Sequence, residues 1–371
     1  MYQQLNPQDI AFYMLYGAAA MQSLIACIYL LFRQGNAFSI NVTPPVRLRR
    51  WTAAFFAAMT LSHLWYLPVV SPVYNSNEIQ GYFIGALLDS LTVFPLAIII
   101  LFVMLQDRKR PLWPVVLMVS PLFFGMVWCL LVHSAAPIQW LYLYIPLLGL
   151  GLIVYLVCEV RRYGRWLRDN FVDLEHKELW QSYLIMALVL SLFGFYVFGL
   201  GVTWYEYVVQ VIDIIVVGFL LWRLETLSDL SIQQSQSFTA EEEAAVDELL
   251  EGGELTSANY DAVGLLLQKR CIDTHLYLEH DLTLIQLAKL IGTNRSYLSQ
   301  YFASQNTTYN AYINDLRIQH FMNLYRQAIA DGRDFTALQL ATNSGYRSYS
   351  TFSLAFKRQT GMSVSLWMKS Q

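Results

Sequence analysis

Long apolar runs alternate with short polar segments through the first part of the chain, up to Leu224. Each run is close to the roughly 20 residues that an α-helix needs to span a bilayer. The runs lie at 10–32, 51–70, 82–105, 112–133, 138–158, 182–201 and 206–224. Because a backbone in lipid must satisfy its own polar groups, the pattern predicts a bundle of seven transmembrane helices.

The positions of Lys and Arg in this region predict its orientation. They occupy the first, third and fifth loops between the runs, whereas the segment before the first run and the other loops contain none. Loops rich in Lys and Arg stay in the cytoplasm. We therefore expect the N-terminus to lie outside the cytoplasm and residues 225–371 to lie inside it.

The composition supports a membrane protein and narrows the chemistry. Only 14% of the residues are charged and 56% are apolar, whereas a soluble domain carries about a quarter charged residues. The four cysteines, Cys27, Cys129, Cys158 and Cys271, show no CxxC or Cys/His zinc spacing, so we expect no metal site or disulfide framework. No hydrolase, metalloprotease or nucleotide-binding motif occurs in a suitable context. The sequence therefore predicts neither an enzyme nor a cofactor.

Three ionisable residues within the apolar runs are candidates for ligand sensing. Asp89 lies in the third run and Asp213 in the seventh, and a buried acid in hydrocarbon costs several kcal/mol unless it is paired or hydrated. They indicate either a ligand or proton site that faces the bundle interior, or neutral hydrogen-bonded packing contacts. His63 in the second run could join such a site or be a satisfied interior histidine.

An acidic connector follows the last run. Residues 225–268 contain ten Asp or Glu and no Lys or Arg. Thr239 is suited to capping a helix with acids in its first turn, and the Gly252-Gly253 pair is suited to ending it. The connector is either a solvated linker helix or a dimerising or signalling element that competes with DNA for the basic domain after it.

The C-terminal region, residues 269–371, carries eleven Lys or Arg against six Asp or Glu. Its pattern predicts a short helix capped by Thr283 and ended by Gly292, followed by a second helix over 294–303 capped by Thr293. A helix, a short glycine-containing turn and a second helix form a helix-turn-helix unit, whose second helix enters the major groove of DNA.

A second unit of the same kind follows a predicted long helix over 309–329. A helix over 335–342, a turn at Gly345 and a helix that Ser348 caps and that runs to Arg358 repeat the arrangement. Two such units joined by one helix can present two reading helices to successive major-groove turns roughly 34 Å apart.

The stretch 282–367 resembles the DNA-binding domain of AraC-type transcriptional regulators, and the whole arrangement resembles the membrane-bound multi-pass members of that family. The matching residues are Leu284, Leu287, Ala288, Gly292, Arg295-Ser296-Tyr297-Leu298-Ser299, Phe302, Tyr312-Ile313, Arg317-Ile318, Leu340-Ala341, Gly345-Tyr346, Ser348, Phe352, Phe356-Lys357 and Gly361.

The resemblance implies which residues meet DNA. The outward recognition-helix positions of the family carry over to Ser296, Ser299, Gln300, Tyr349, Ser350, Ser353 and Leu354. The helical pattern itself also leaves Arg295 facing outward, and Lys357 and Arg358 are expected to hold phosphate rather than read a base, so these three are added to the expected DNA-binding residues. Arg317 is expected to be a structural ion-pair partner rather than a base reader. Two departures from the family pattern stand out: Leu354 replaces a residue that is often polar or basic, and Val364 replaces a common proline near the start of the last helix.

The sequence thus predicts an all-α protein with a seven-helix transmembrane sensor region at 1–224, a connector at 225–268 and a double helix-turn-helix domain at 269–371. The expected function is a membrane-bound one-component transcription regulator of the bacterial inner membrane. Its expected partners are promoter DNA, the lipid bilayer, a second copy on DNA and an unknown ligand or membrane signal. The alternative is a transporter or membrane enzyme with a fused regulatory helix-turn-helix tail.

Overall fold

The computed structural model describes residues 7–33, 36–37, 44–67, 78–132, 138–174, 177–179, 182–183, 202–230 and 257–371. Over these residues the regular structure is helical, apart from one isolated antiparallel bridge between Phe171 and Thr283, which agrees with the predicted all-α class. The chain divides into two compact units. One contains Met1–Arg161 and Leu179–Ser231, and the other contains Arg162–Glu178 and Ile232–Gln371.

The N-terminal unit is built from long apolar helices. Its helices are α1 (Pro7–Phe32), α2 (Val46–Trp65), α3 (Glu78–Leu91), α4 (Val93–Met104), α5 (Trp113–Val132), α6 (Ile138–Asn170) and α7 (Val202–Thr226). Helix α1 packs against α2 and α7, α2 packs against α4, and α3 packs against α5. The last residues of α6 belong to the other unit.

Five segments of the described chain are long and apolar enough to cross a membrane. They are Ile10–Phe32, Ile84–Met104, Trp113–Val132, Leu143–Asn170 and Tyr207–Thr226. The second predicted run lies on α2, which begins with three arginines within five residues and is not among the five. Nearly all of the sixth run, 182–201, lies outside the described residues. The count of seven transmembrane helices therefore remains a prediction.

The third run is divided into two helices at Thr92. Proline has no backbone N–H, so Pro95 cannot close the helical bond to the carbonyl of Leu91. The hydroxyl and the amide of Thr92 both donate to the carbonyl of Leu88, at 2.7 and 3.1 Å. The break between α3 and α4 thus lies three residues before Pro95.

The C-terminal unit consists of short helices around one long helix. They are α8 (Ser257–Leu267), α9 (Leu284–Ile291), α10 (Arg295–Ser304), α11 (Tyr309–Ala330), α12 (Ala337–Asn343), α13 (Tyr349–Thr360) and α14 (Val364–Ser370). The connector helix predicted between Thr239 and Gly252 lies outside the described residues.

Two separate apolar cores support this unit, and α11 contributes to both. The first core gathers side chains of α8, α9 and α10 around Tyr309 and Ile313. The second gathers side chains of α12, α13 and α14 around Ile318 and Phe321. Because one helix forms a wall of each core, the two short-helix clusters are joined by a rigid element.

Candidate DNA interface and intramembrane polar cluster

The turn between α9 and α10 is built from caps on both sides. Thr283 and Gln286 form a reciprocal capping box at the start of α9. Gly292 ends the helix with φ 84°, in the left-handed region that favours glycine. The amide of Thr293 donates to the carbonyl of Ala288, which completes the helix end. The predicted cap Thr293 is therefore wrong by one residue, and the Asn294 side chain caps α10.

Helix α10 buries one face and exposes the other. Leu298 and Phe302 are buried in the first core. Arg295, Ser296, Ser299 and Gln300 are all exposed. Helix α10 is thus the second helix of a helix-turn-helix unit with its polar side free, which is the side that reads DNA in such motifs.

The second unit repeats this construction. Thr336 and Gln339 form a capping box, so α12 begins at Ala337, two residues later than predicted. Gly345 has φ 86°. The hydroxyl of Ser348 accepts from the amide of Thr351 and caps α13, as predicted. Helix α13 therefore begins after a turn of the same kind as α10.

The outer face of α13 carries the remaining predicted DNA-binding residues. Tyr349, Ser350, Lys357 and Arg358 are exposed and Ser353 is half-buried, while Phe352 and Phe356 are fully buried. Leu354 is 63% exposed on the same helix, so a large apolar side chain shares this surface. Val364 is buried at the start of α14, whose cap is Ser363.

Arg317 has a structural role inside the unit. It is 2% exposed, and its guanidinium donates to the carbonyls of Tyr277 (2.7 Å) and Glu279 (2.5 Å) in the turn before α9. Burial lowers the pKa of this side chain. Its bonding partners are backbone carbonyls rather than the acidic residue that the sequence suggested.

Two capped helix-turn-helix units that share α11 define the C-terminal region as a DNA-binding module. Comparison with known families agrees: the model of a helix-turn-helix domain matches residues 287–370. The chain thus carries an AraC-type helix-turn-helix domain there, which supports a DNA-binding transcription regulator. Neither the curated proteins nor the solved structures contain a match to the chain.

The N-terminal unit brings the three predicted sensing residues together. The His63 Nδ1 atom lies 2.7 Å from the carbonyl of Met59, and its Nε2 atom lies 3.0 Å from the Gln210 side-chain oxygen and 3.8 Å from Asp213. A carbonyl only accepts, so Nδ1 carries a proton. An N–H at Nε2 would donate to the Gln210 oxygen, whereas Asp213 is too far away for a hydrogen bond. The ring therefore joins α2 to two polar residues of α7.

Asp89 and Tyr16 complete this cluster from two further helices. The hydroxyl of Tyr16 donates to the carbonyl of His63, and the two rings lie 4.8 Å apart. Asp89 is near enough to His63 and Asp213 for their charges to interact. Its Oδ1 atom is buried without a hydrogen-bond partner among the described residues. We call Tyr16, His63, Asp89, Gln210 and Asp213 the polar cluster.

The sequence did not reveal two of these residues or one important segment. Tyr16 and Gln210 are polar residues within apolar runs, which is a signal too common to single them out. Residues 162–178 were interpreted as a cytoplasmic loop, yet they belong to the C-terminal unit. The adjacent apolar residues Phe171 and Val172 are unusual in a basic loop and could have indicated a packing role. Among the described residues, no group of ligating side chains is arranged to hold a metal ion.

Proposed function

We propose that this chain is a membrane-bound one-component transcription regulator. The observation that carries the proposal is the presence of two capped helix-turn-helix units after a region with five membrane-capable helices. In this proposal the N-terminal unit lies in the bacterial inner membrane with the N-terminus outside, and the C-terminal unit binds promoter DNA in the cytoplasm. A second copy of the chain supplies the second half-site contact.

The polar cluster is the proposed sensing site. It collects two carboxylates, an imidazole, an amide and a phenol from four helices, in a region where ionisable groups are costly unless they have a function. A cationic ligand or a proton would change the charge that Asp89 and Asp213 present. Any such ligand shifts the protein only if it binds two arrangements of the helices with different affinities.

The test of DNA binding uses the full chain in lipid nanodiscs and fluorescently labelled duplex DNA. Affinity should fall steeply as salt rises, because phosphate contacts release counterions. Gln300→Ala on the exposed face of α10 should change the preference among sequences. Lys357→Ala should weaken binding to all sequences alike. Lys369→Ala, which removes a lysine outside both recognition helices, is the control and should have little effect.

Two results would contradict this part of the proposal. One is the absence of duplex binding at low ionic strength. The other is a set of affinities that does not depend on salt.

Orientation is tested with reporters fused after Gln371. A reporter that is active only in the cytoplasm should be active there, and one that is active only outside should be silent. The expectation follows from the alternating basic loops of the first 224 residues. The opposite pair of results would place the helix-turn-helix domain away from DNA and would rule out the proposed function.

A further inference from the structure

Residues 162–174 and 177–178, which we call the strap, pack into the C-terminal unit although 53 residues of sequence, 179–231, separate them from the rest of it. Tyr163, Leu167, Phe171 and Val172 are each at most 4% exposed. Val172 is part of the first core, beside residues of α8, α9 and α10. The strap is therefore packed as part of the DNA-binding module.

Two polar contacts hold the strap at the start of two helices. The side-chain amide of Asn310, in the first turn of α11, donates to the carbonyls of Phe171 and Val172. Phe171 also forms the antiparallel bridge with Thr283, the cap of α9. Asn310 is only 7% exposed, so these bonds lie in a desolvated contact, where an unmade bond is costly.

Lys177 is buried at the far end of the strap. It is 5% exposed, its Nζ donates to the carbonyl of Asp173 at 2.8 Å, and it lies 5.1 Å from the ring centre of Phe171. Burial lowers the pKa of this lysine, and its charge also interacts with Asp281 and Arg347. A buried lysine is unusual in a free loop, so this end of the strap is also specifically seated.

Charged residues of the strap interact electrostatically with residues at the start of both recognition helices. Asp169 is close enough to Arg295, the first residue of α10, for their charges to interact. Lys177 is similarly close to Arg347, which directly precedes the cap of α13. The N-terminal residues of a recognition helix contact base edges in the major groove. The strap also forms a bridge with Thr283, the 5% exposed cap of α9, and the first helix of a helix-turn-helix unit crosses the DNA backbone. A duplex bound to this unit would thus approach the end of α9 at which the strap is docked.

We propose that the strap is an autoinhibitory element that docks on the DNA-binding module and must leave before duplex DNA binds. The inference rests on the proposed DNA-binding function and adds its regulation. Because the strap begins within α6, whose earlier residues belong to the N-terminal unit, a movement of α6 changes the docking equilibrium.

The test compares Asn310→Ala with the parent chain in lipid nanodiscs. Alanine suits the first turn of a helix, so the substitution removes the two strap bonds and leaves α11 intact. Asn323→Ala on the exposed side of α11 is the matched control. Val172→Asp releases the strap by an independent route, through the first core. Hydrogen exchange of amides 171–174 reports docking, and anisotropy with mixed-sequence duplex DNA at low ionic strength reports binding.

We expect Asn310→Ala and Val172→Asp to raise the exchange of amides 171–174. We also expect Asn310→Ala to tighten the apparent Kd for duplex on the order of tenfold, because two hydrogen bonds no longer hold the closed state. The control should match the parent. Addition of duplex to the parent should also raise strap exchange, since DNA binding and docking exclude each other.

Three results would overturn the inference while leaving DNA binding intact. They are equal affinities for parent and released variant, weaker binding by the released variant, and bound DNA with no change in strap exchange. The second result would show that the strap, with Arg165 and Arg168, is a part of the DNA-contacting surface. If no variant bound duplex although the strap was released, the proposed function itself would fail, and this inference with it.

Discussion

At the scale of single residues, Arg317 shows how a charged side chain can serve as an internal brace. It reaches from α11 into the turn before α9 and donates to the carbonyls of Tyr277 and Glu279. It also lies 5.5 Å from the ring centre of Tyr346 in the second helix-turn-helix unit. One side chain therefore contacts both halves of the module, which explains why an arginine is buried so completely.

Arg317→Met should destabilise the C-terminal unit by about 3 kcal/mol, because methionine fills much of the space and removes both hydrogen bonds from the charged guanidinium. The measurement is the exchange rate of the most protected amides of α11 in the full chain. Arg326→Met removes an exposed arginine from the same helix and should change stability by less than about 0.5 kcal/mol. Equal effects of the two substitutions would show that the carbonyl bonds do not stabilise the unit.

His320 makes the same unit sensitive to acid. Burial and the neighbouring His275 lower the pKa of His320 below its ordinary value. The folded state then binds fewer protons than the unfolded state, so stability is lost as the pH falls from about 6.5 through the folded-state pKa. His320→Gln should flatten the dependence of core-amide protection on pH between about 5 and 7. An unchanged slope would assign the acid sensitivity to other groups.

At the scale of elements, the helices of the C-terminal unit were largely predictable because their signals are local. Thr283, Gly292, Gly345 and Ser348 act as the caps and turns that the sequence indicated. The errors were shifts of one or two residues, as at Thr293, where the amide completes the end of α9 and leaves the cap to Asn294.

The docking of the strap could not be predicted in the same way. Its contacts join Phe171 and Val172 to residues more than 100 positions later, and neither hydrophobic period nor capping pattern encodes such a pairing. The same holds for the contact of His63 with Gln210, which connects α2 and α7. Local patterns thus identify elements, whereas the partners of each element depend on packing between distant parts of the chain.

Gly345 is the element-scale position most sensitive to substitution. A Cβ there would lie 2.8 Å from the carbonyl oxygen of Leu278 and 3.0 Å from Arg317, in addition to the left-handed backbone. Gly361 has a similar φ of 73° with nothing within 4 Å. Gly361→Ala should therefore cost about 1 kcal/mol, and Gly345→Ala clearly more. Thermal unfolding of the two variants in nanodiscs measures both losses of stability. Equal losses would show that the backbone at Leu278 moves away from the added Cβ at little cost.

At the scale of the whole molecule, the chain passes between its two units near residues 161, 178 and 231. The loop between α4 and α5, residues 105–112, contacts the chain close to two of these crossings. Arg108 and Arg110 pair with Glu159 of α6 at 3.0 and 2.7 Å. Gln106 donates to the carbonyl of Ser228 and accepts from the amide of Leu230, just after α7. The loop therefore connects α7, which carries Asp213, to α6, which continues into the strap.

This connection predicts that the polar cluster and Glu159 act together on DNA binding. Asp213→Asn removes a charge that faces His63, and its effect on duplex affinity should reach the strap through α7, the loop and α6. Glu159→Gln weakens the ion pairs with Arg108 and Arg110 through which this effect would pass. The free-energy effects of substitutions at independent, distant sites add to within about 0.5 kcal/mol. A larger deviation from additivity in the double variant would show that the two sites are coupled along this route. Asp331→Asn, an exposed change at the end of α11, should add normally to Asp213→Asn. Additive effects of Asp213→Asn and Glu159→Gln would exclude α6 as the path between sensor and strap.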